Sequence, residues 1–334
     1  MWTLIFSLPI LISAPFFLLY HEVWWYVAIP LAIVEGILIL VWHFSTTSVE
    51  FLGAYPVKIT HICAWTEEVE RIKTRYIDGE LVEEKEYDER YHPDKYTWVL
   101  NTGKKQTIDA SVFDALADEW GDIEYIDTHY SNCIDGGGIE VAEWNGYEED
   151  TWTVTYTHRY RNPFKHSNSL FKVRKHYSEY EAEKNGLFKY PEITDYYQDA
   201  IVFRDGDIVS KYHSVEAEDE FQKINAFEGY EREIHVFVLL YNSDKYNKDV
   251  SFKQRDYWNG LNKNELVICI GADEKKAQWC NVLSWSDSVE WLRSVEKKVL
   301  SMDELDLYEF SKWLRMNLDG WVRKEFKDFS YLKR

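Results

Sequence analysis

The sequence predicts an α+β fold: an N-terminal helical hairpin through a membrane, then a β-rich region, then an α/β region of sheet layered with helices. Three observations predict it. Residues 2–44 hold no Lys or Arg and only Glu22 and Glu35 as acids, an apolar stretch long enough for two spans. From Ser48 onward, β-branched and aromatic runs alternate with Gly, Asn and Asp turn signals. After about residue 195, near-continuous apolar runs are separated by segments of helical periodicity. The expected organisation is a transmembrane hairpin over 1–45 with helices at about 3–20 and 24–43, a β-rich region over 48–195 and an α/β region over 196–334.

Each expected span has the length an α-helix needs to cross about 30 Å of hydrocarbon. Trp24, Trp25 and Trp42 flank the second, where amphipathic rings favour the water–lipid boundary. A cleaved signal peptide fits less well, because no basic residue precedes the first stretch and a second follows after His21, Glu22 and Val23. The short loop carries no Lys or Arg, whereas Lys58, Arg71, Lys73 and Arg75 follow the second span, which favours a cytoplasmic C-terminal part. Glu35 falls near the middle of that span, where an ionisable group costs roughly 2.5–3.5 kcal/mol on insertion scales. Two readings stay open for it. One is a protonated carboxyl bonded across the hairpin; the other is a self-association or ion-conducting face, which would make a homo-oligomer.

In the β-rich region, strands are expected at Val57–Cys63, Tyr96–Leu100, Thr151–Thr157 and Ser169–Val173, with a helix over Asp109–Trp120. The densely charged run Glu67–Glu89 reads as two solvated strands around an Asp78-Gly79 turn. In the α/β region, Ile234–Tyr241 and Glu265–Gly271 read as strands buried on both faces, and Trp279–Trp285 as the return strand of a hairpin. Helices are expected at Glu216–Asn225, Ser286–Leu300 and Asp303–Leu318, the last two behind Ser and Asp capping residues.

With 58 acidic against 38 basic residues, the net charge of -20 repels phosphate backbones and argues against a nucleic-acid partner. Cys63, Cys133, Cys269 and Cys280 show no C-x-x-C spacing, so buried thiols are expected rather than a zinc site. His158, His166 and His176 match neither H-E-x-x-H nor a zinc-finger pair, and no phosphate-binding glycine loop or G-x-S-x-G elbow occurs. The richest polar constellation is Asp256, Asn262, Asn264, Glu265 and Asp273 around one buried strand. Hard oxygen ligands there would suit Ca²⁺ or Mg²⁺, although the two Asn are equally good turn residues. At the C-terminus, Arg323, Lys324, Lys327, Lys333 and Arg334 form a basic end suited to anionic headgroups.

The segments Tyr257–Val267 (YWNGLNKNELV), Trp279 with Leu283–Ser286 (LSWS) and Arg323–Leu332 (RKEFKDFSYL) resemble an uncharacterised family of bacterial and tailed-phage two-helix membrane proteins. The likeness extends over Tyr91-His92-Pro93, Thr157–Asn162 (THRYRN) and Tyr190–Ile193 (YPEI). It implies a shared fold and placement in the bacterial inner membrane, with no established activity. The α/β region also resembles the TPM domain, which implies functional polar groups around Asn262, Asn264, Glu265 and Asp273. The leading functional reading is a membrane-anchored, non-enzymatic interaction or scaffold module with an as yet unidentified protein partner, aromatic side chains being enriched at interfaces. The alternatives are a divalent-metal-dependent, TPM-like phosphatase, or a phage-encoded exclusion or channel-like factor that oligomerises through the hairpin.

Overall fold

The computed structural model describes residues 25–77, 80–128, 132–162, 173, 175–191, 200–202 and 208–324. By contact the chain divides into two compact units, Met1–Glu50 with His158–Arg174, and Phe51–Thr157 with Lys175–Arg334. The border expected near residue 195 falls inside the second unit.

In the first unit, helix α1 (Trp25–Ser45) contains Pro30 and the half-buried Glu35. Among the described residues, no helix is long and apolar enough to cross a membrane. This corrects the expected fold class and location: the transmembrane hairpin, and the inner-membrane placement with a cytoplasmic part that rested on it, do not hold. The apolar run of α1 is interrupted by Pro30, which lacks the N–H that a helical ladder needs, and by the ionisable Glu35. The first expected span and Trp24 lie outside the described residues. Thr46 Oγ1 donates to the carbonyl of Trp42 at 2.7 Å, and the Arg161 guanidinium sits 4.4 Å from the Trp42 ring centre. Strands β1 (Thr47–Ala54) and β10 (Val154–Arg161) pair as a two-stranded sheet. Glu50 is fully buried and lies 2.8 Å from Nδ1 of His158.

In the second unit, β2 (Pro56–Ile62), β5 (Lys95–Leu100), β6 (Lys105–Thr107), β7 (Glu124–Ile126) and β9 (Ile139–Glu143) form an antiparallel sheet in the order β6-β5-β2-β9-β7. Helix α2 (Ala110–Trp120) covers it, with Phe113, Leu116 and Trp120 joining Ile59, Trp98 and Leu100 in one core. Period-2 burial on the sheet and helical spacing on α2 meet on a single apolar face. A second antiparallel sheet has the order β4-β3-β8, from β3 (Trp65–Ile77), β4 (Glu80–His92) and β8 (Cys133–Gly136).

The α/β part is a mixed sheet, β11 (Ile201–Val202), β12 (His235–Asn242), β13 (Glu265–Ala272) and β14 (Ala277–Ser284), the first three parallel and the last antiparallel. Every residue of β12 and β13 is buried. Val236, Val238, Leu240, Leu266, Ile268 and Ile270 enter one core, alongside helices α4 (Val215–Lys223), α7 (Val289–Leu300) and α8 (Leu307–Met316). Phe237, Leu239, Tyr241, Val267 and Cys269 enter another, beneath α3 (Glu179–Lys184) and α6 (Asp249–Tyr257). That two-sided burial is why both strands read as unbroken apolar runs. The short helix α5 (Gly229–Arg232) precedes β12.

Helices α7 and α8 begin later than the capping residues suggested. Ser286 is spent on a turn, its Oγ accepting from Ser288 N at 3.2 Å, while Asp306 caps α8 by accepting from Glu309 N at 3.0 Å. Cys269 and Cys280 sit on paired strands but one register position apart, with Cys269 opposite Asn281. They therefore enter different cores and remain free thiols.

Candidate functional site

The oxygen ligands expected around β13 are held in separate arrangements. Glu265 accepts from Asn262 at both carboxylate oxygens, at 2.9 Å from the backbone N–H and 2.8 Å from Nδ2, and Tyr190 Oη donates to it as well. Glu265 is fully buried and serves a turn that leads into the strand. Asn264 donates through Nδ2 to the carbonyl of Phe51 at 2.6 Å, tying β1 to the α/β part. Asp256 lies 3.3 Å from Nη2 of its neighbour Arg255. Asp273 sits at the far end of β13 and closes the next turn, Oδ1 accepting from Lys275 N at 2.7 Å and Lys276 N at 2.9 Å. Those backbone donors hold its carboxyl below the usual range. Among the described residues, no group of three or more His, Cys, Asp or Glu is arranged to hold a metal ion.

In the basic C-terminal segment, Arg323 pairs with Glu233 at 2.9 Å and Lys324 with Asp287 at 2.5 Å. Lys327, Lys333 and Arg334 lie outside the described residues.

The feature that sequence reasoning passed over is an exposed apolar face on the β3–β4 ribbon. The strands of the ribbon pair along their full length, from Trp65 opposite His92 to Ile77 opposite Glu80. Each strand has 13 residues, which makes an arm about 40 Å long at the rise of an extended chain. Among the described residues, β3 has a second neighbour only at its base, where β8 pairs with Trp65, Thr66 and Glu67.

Directly opposed residues in an antiparallel pair share a face, so the register sorts the arm into two unlike surfaces. One face is an ion-pair ladder: Arg71 to Asp88 at 2.8 Å, Lys73 to Glu86, and Arg75 to Glu84 at 3.6 Å. The other carries Ile72, Tyr76, Leu81, Tyr87 and Tyr91, each more than half exposed. On this second face stand Glu68, Glu70, Glu83 and Glu89 against a single cation, Lys85, which pairs with Glu70 at 2.7 Å. Exposed apolar patches rimmed by charge are the kind of surface on which proteins make contact, and this side of the arm is its candidate contact face.

The base of the arm is braced. The Trp65 and His92 rings stack at 4.3 Å, and His92 Nε2 lies 2.8 Å from Glu67, which also accepts from Asn132 Nδ2 at 2.8 Å. The His92 hydrogen bond keeps the Glu67 carboxyl below the usual range. Next to it, His61 is clasped by two carboxylates, Nδ1 to Glu140 and Nε2 to Asp94, both at 2.7 Å, while its ring stacks on Tyr96 at 4.2 Å. Burial opposes the charge on His61, but the hydrogen bonds to Glu140 and Asp94 outweigh it and raise its pKa. With both ring nitrogens engaged, this imidazole fastens β2, β9 and the β4–β5 turn together and has no free nitrogen for proton transfer. Cys63 is no better placed for chemistry, since burial and the Glu140 and Asp94 charges push its thiol up and disfavour the thiolate.

The signal for the contact face was present in the sequence. Counting outward from the turn that the Asp78-Gly79 pair predicts puts Tyr76 opposite Leu81 and Ile72 opposite Lys85, which is the register of the strands. Composition alone, dominated by charge, hid that alternation.

Comparison with models of known protein families, with curated proteins and with solved structures gives no match to this chain, and so does not bear on the resemblance to the two-helix family or the TPM domain.

Proposed function

We propose that the protein is a non-enzymatic binding module that engages another protein through the β3–β4 arm. The observation that carries this reading is the exposed stripe of Ile72, Tyr76, Leu81, Tyr87 and Tyr91 on one face of a ribbon whose other face carries the ion-pair ladder. A ribbon buries little of its own apolar surface, so five large side chains on one face add no core. Their benefit comes on contact with a second surface, where Tyr supplies large area at small entropic cost. The braced base at Trp65, His92 and His61 supports this, because a preorganised arm loses less freedom on docking.

The test is photo-crosslinking in cells that produce the protein, with a benzophenone side chain at position 87 on the arm or at Tyr180 on α3, which is also exposed. A discrete adduct from position 87, absent from position 180 and lost when Ile72 and Tyr91 are replaced by Ser, is the expected result. Equal labelling from both positions, or none from position 87, overturns the reading.

A further inference from the structure

We infer that the open edge of β4 takes up an extended strand from the partner, one in which Lys or Arg alternates with apolar side chains along one face. The inference rests on the binding role of the arm and specifies its occupant. Among the described residues, β4 has a neighbour on one side only in the sheet order β4-β3-β8. Alternate backbone N–H and C=O groups along its 13 residues point away from β3, a ready template for one more strand.

Charge selects what that strand carries. β4 holds Glu80, Glu83, Glu84, Glu86, Asp88 and Glu89 against Lys85 and Arg90, whereas the acids and bases of β3 balance. Edge-to-edge pairing of two copies through β4 would bring these carboxylates together, and like charges directly opposed are destabilising. A basic strand meets the opposite situation. On the contact face, Glu83 and Glu89 have no ion pair among the described residues and stand beside Leu81, Tyr87 and Tyr91. Along this face of β4 the order at every second residue is Leu81, Glu83, Lys85, Tyr87, Glu89 and Tyr91, so a strand lying beside it meets two carboxylates and three large apolar or aromatic side chains on one face. Among the described residues, the edge of β3 beyond Glu68, whose N–H donates to the Asn132 carbonyl, offers the same backbone groups without the charge excess, so β4 is the preferred side.

The experiment uses the full chain and a fluorescein-labelled octapeptide in which lysine alternates with valine or tyrosine along one face, at every second residue, and threonine fills the other face, read by anisotropy at about 0.1 M salt. Three comparisons decide it. The first sets Glu83→Lys with Glu89→Lys on the arm against Glu179→Lys with Glu183→Lys on α3, which changes net charge equally. The arm pair is expected to weaken binding at least tenfold and the α3 pair less than threefold. The second uses the same peptide N-methylated at alternate amides along one edge, which keeps its charge and side chains but removes its ladder donors; its binding should be lost. The third replaces every lysine by glutamate, which should also abolish binding.

Equal weakening by the two charge reversals would reduce the effect to the overall acidity of the protein and overturn the inference. Undiminished binding of the N-methylated peptide would overturn strand addition. If the peptide fails while crosslinking from position 87 persists, the arm binds a partner by its face and the edge inference alone falls. If crosslinking fails too, both fall. Circular dichroism of each variant checks that the arm is still folded, and a chain that dimerises through β4 at the assay concentration would also count against the basic strand.

Discussion

Asn225 reads the backbone of Val236 as a neighbouring strand would: its Oδ1 accepts from Val236 N at 2.6 Å and its Nδ2 donates to the Val236 carbonyl at 3.0 Å. Both residues are buried. The amide sits in an irregular helical segment, Ile224–Glu228, and supplies the hydrogen bonds that the short β11 does not extend far enough to provide.

Replacing Asn225 by Ala strands a buried N–H and a buried carbonyl together. A loss of roughly 2–3 kcal/mol is expected, from the cost of leaving such groups unpaired. Asn225→Asp keeps the acceptor but loses the donor and buries a charge, so it should be at least as damaging. Urea unfolding midpoints of the two variants check this.

The His61 clasp makes stability depend on pH in two directions. A histidine with a raised pKa contributes fully below its unfolded value of 6.5, and the contribution is lost as pH rises through the higher folded value. Asp94, whose carboxyl is lowered chiefly by the His61 hydrogen bond, contributes above its unfolded value of 3.8 and loses that as pH falls through the folded one. The clasp should therefore be strongest between these two unfolded values and weaken at higher pH. His61→Gln should cost most near pH 5.5 and much less near pH 9. An NMR titration of His61 with a midpoint below 6.5 would contradict the mechanism.

Gly271 lies beneath the Trp279 indole across the β13–β14 ladder, and a Cβ there would fall 2.0 Å from Trp279 Cε2. The indole cannot swing aside freely, because Nε1 donates to the carbonyl of Tyr246 at 2.8 Å. Gly271→Ala should destabilise by about 3 kcal/mol, the range for overpacking a closed core. Adding Trp279→Leu should recover part of the loss, and a thermal melt of the double variant measures it.

The four thiols should divide by reactivity. Cys269 and Cys280 are buried, and burial pushes both thiols well up. Cys63 and Cys133 are only half-buried. With a disulfide reagent at pH 8, two thiols should react in the folded protein and the other two only on unfolding. Formation of a Cys269–Cys280 disulfide would contradict their placement in separate cores.

Where the sequence spoke clearly, one physical cause dominated. β12 and β13 were legible because burial on both faces leaves no room for polar alternation, and α2 because Phe113, Leu116 and Trp120 recur at helical spacing. The metal constellation misled because Asn262, Glu265 and Asp273 are close in sequence, yet an intervening extended strand carries Asp273 to the opposite end. The span expected over 24–43 came from apolar content, which does not weigh what Pro30 does within a helix, while that over 3–20 lies outside the described residues. The arm was half legible: its turn and strands were expected, but its contact face needed the register, a property of pairs rather than of single residues. The clasp on His61 was out of reach, since Asp94 and Glu140 come to it from distant parts of the chain.

Because β12 and β13 close two cores at once, neither core can open without exposing the strands that support the other. Amide hydrogens along Val236–Leu240 and Leu266–Ile270 should consequently exchange with solvent only through global unfolding, while those of the arm exchange through local opening many orders of magnitude faster. The protein thus keeps its slowest-opening backbone in a different sheet from the surface proposed to meet a partner.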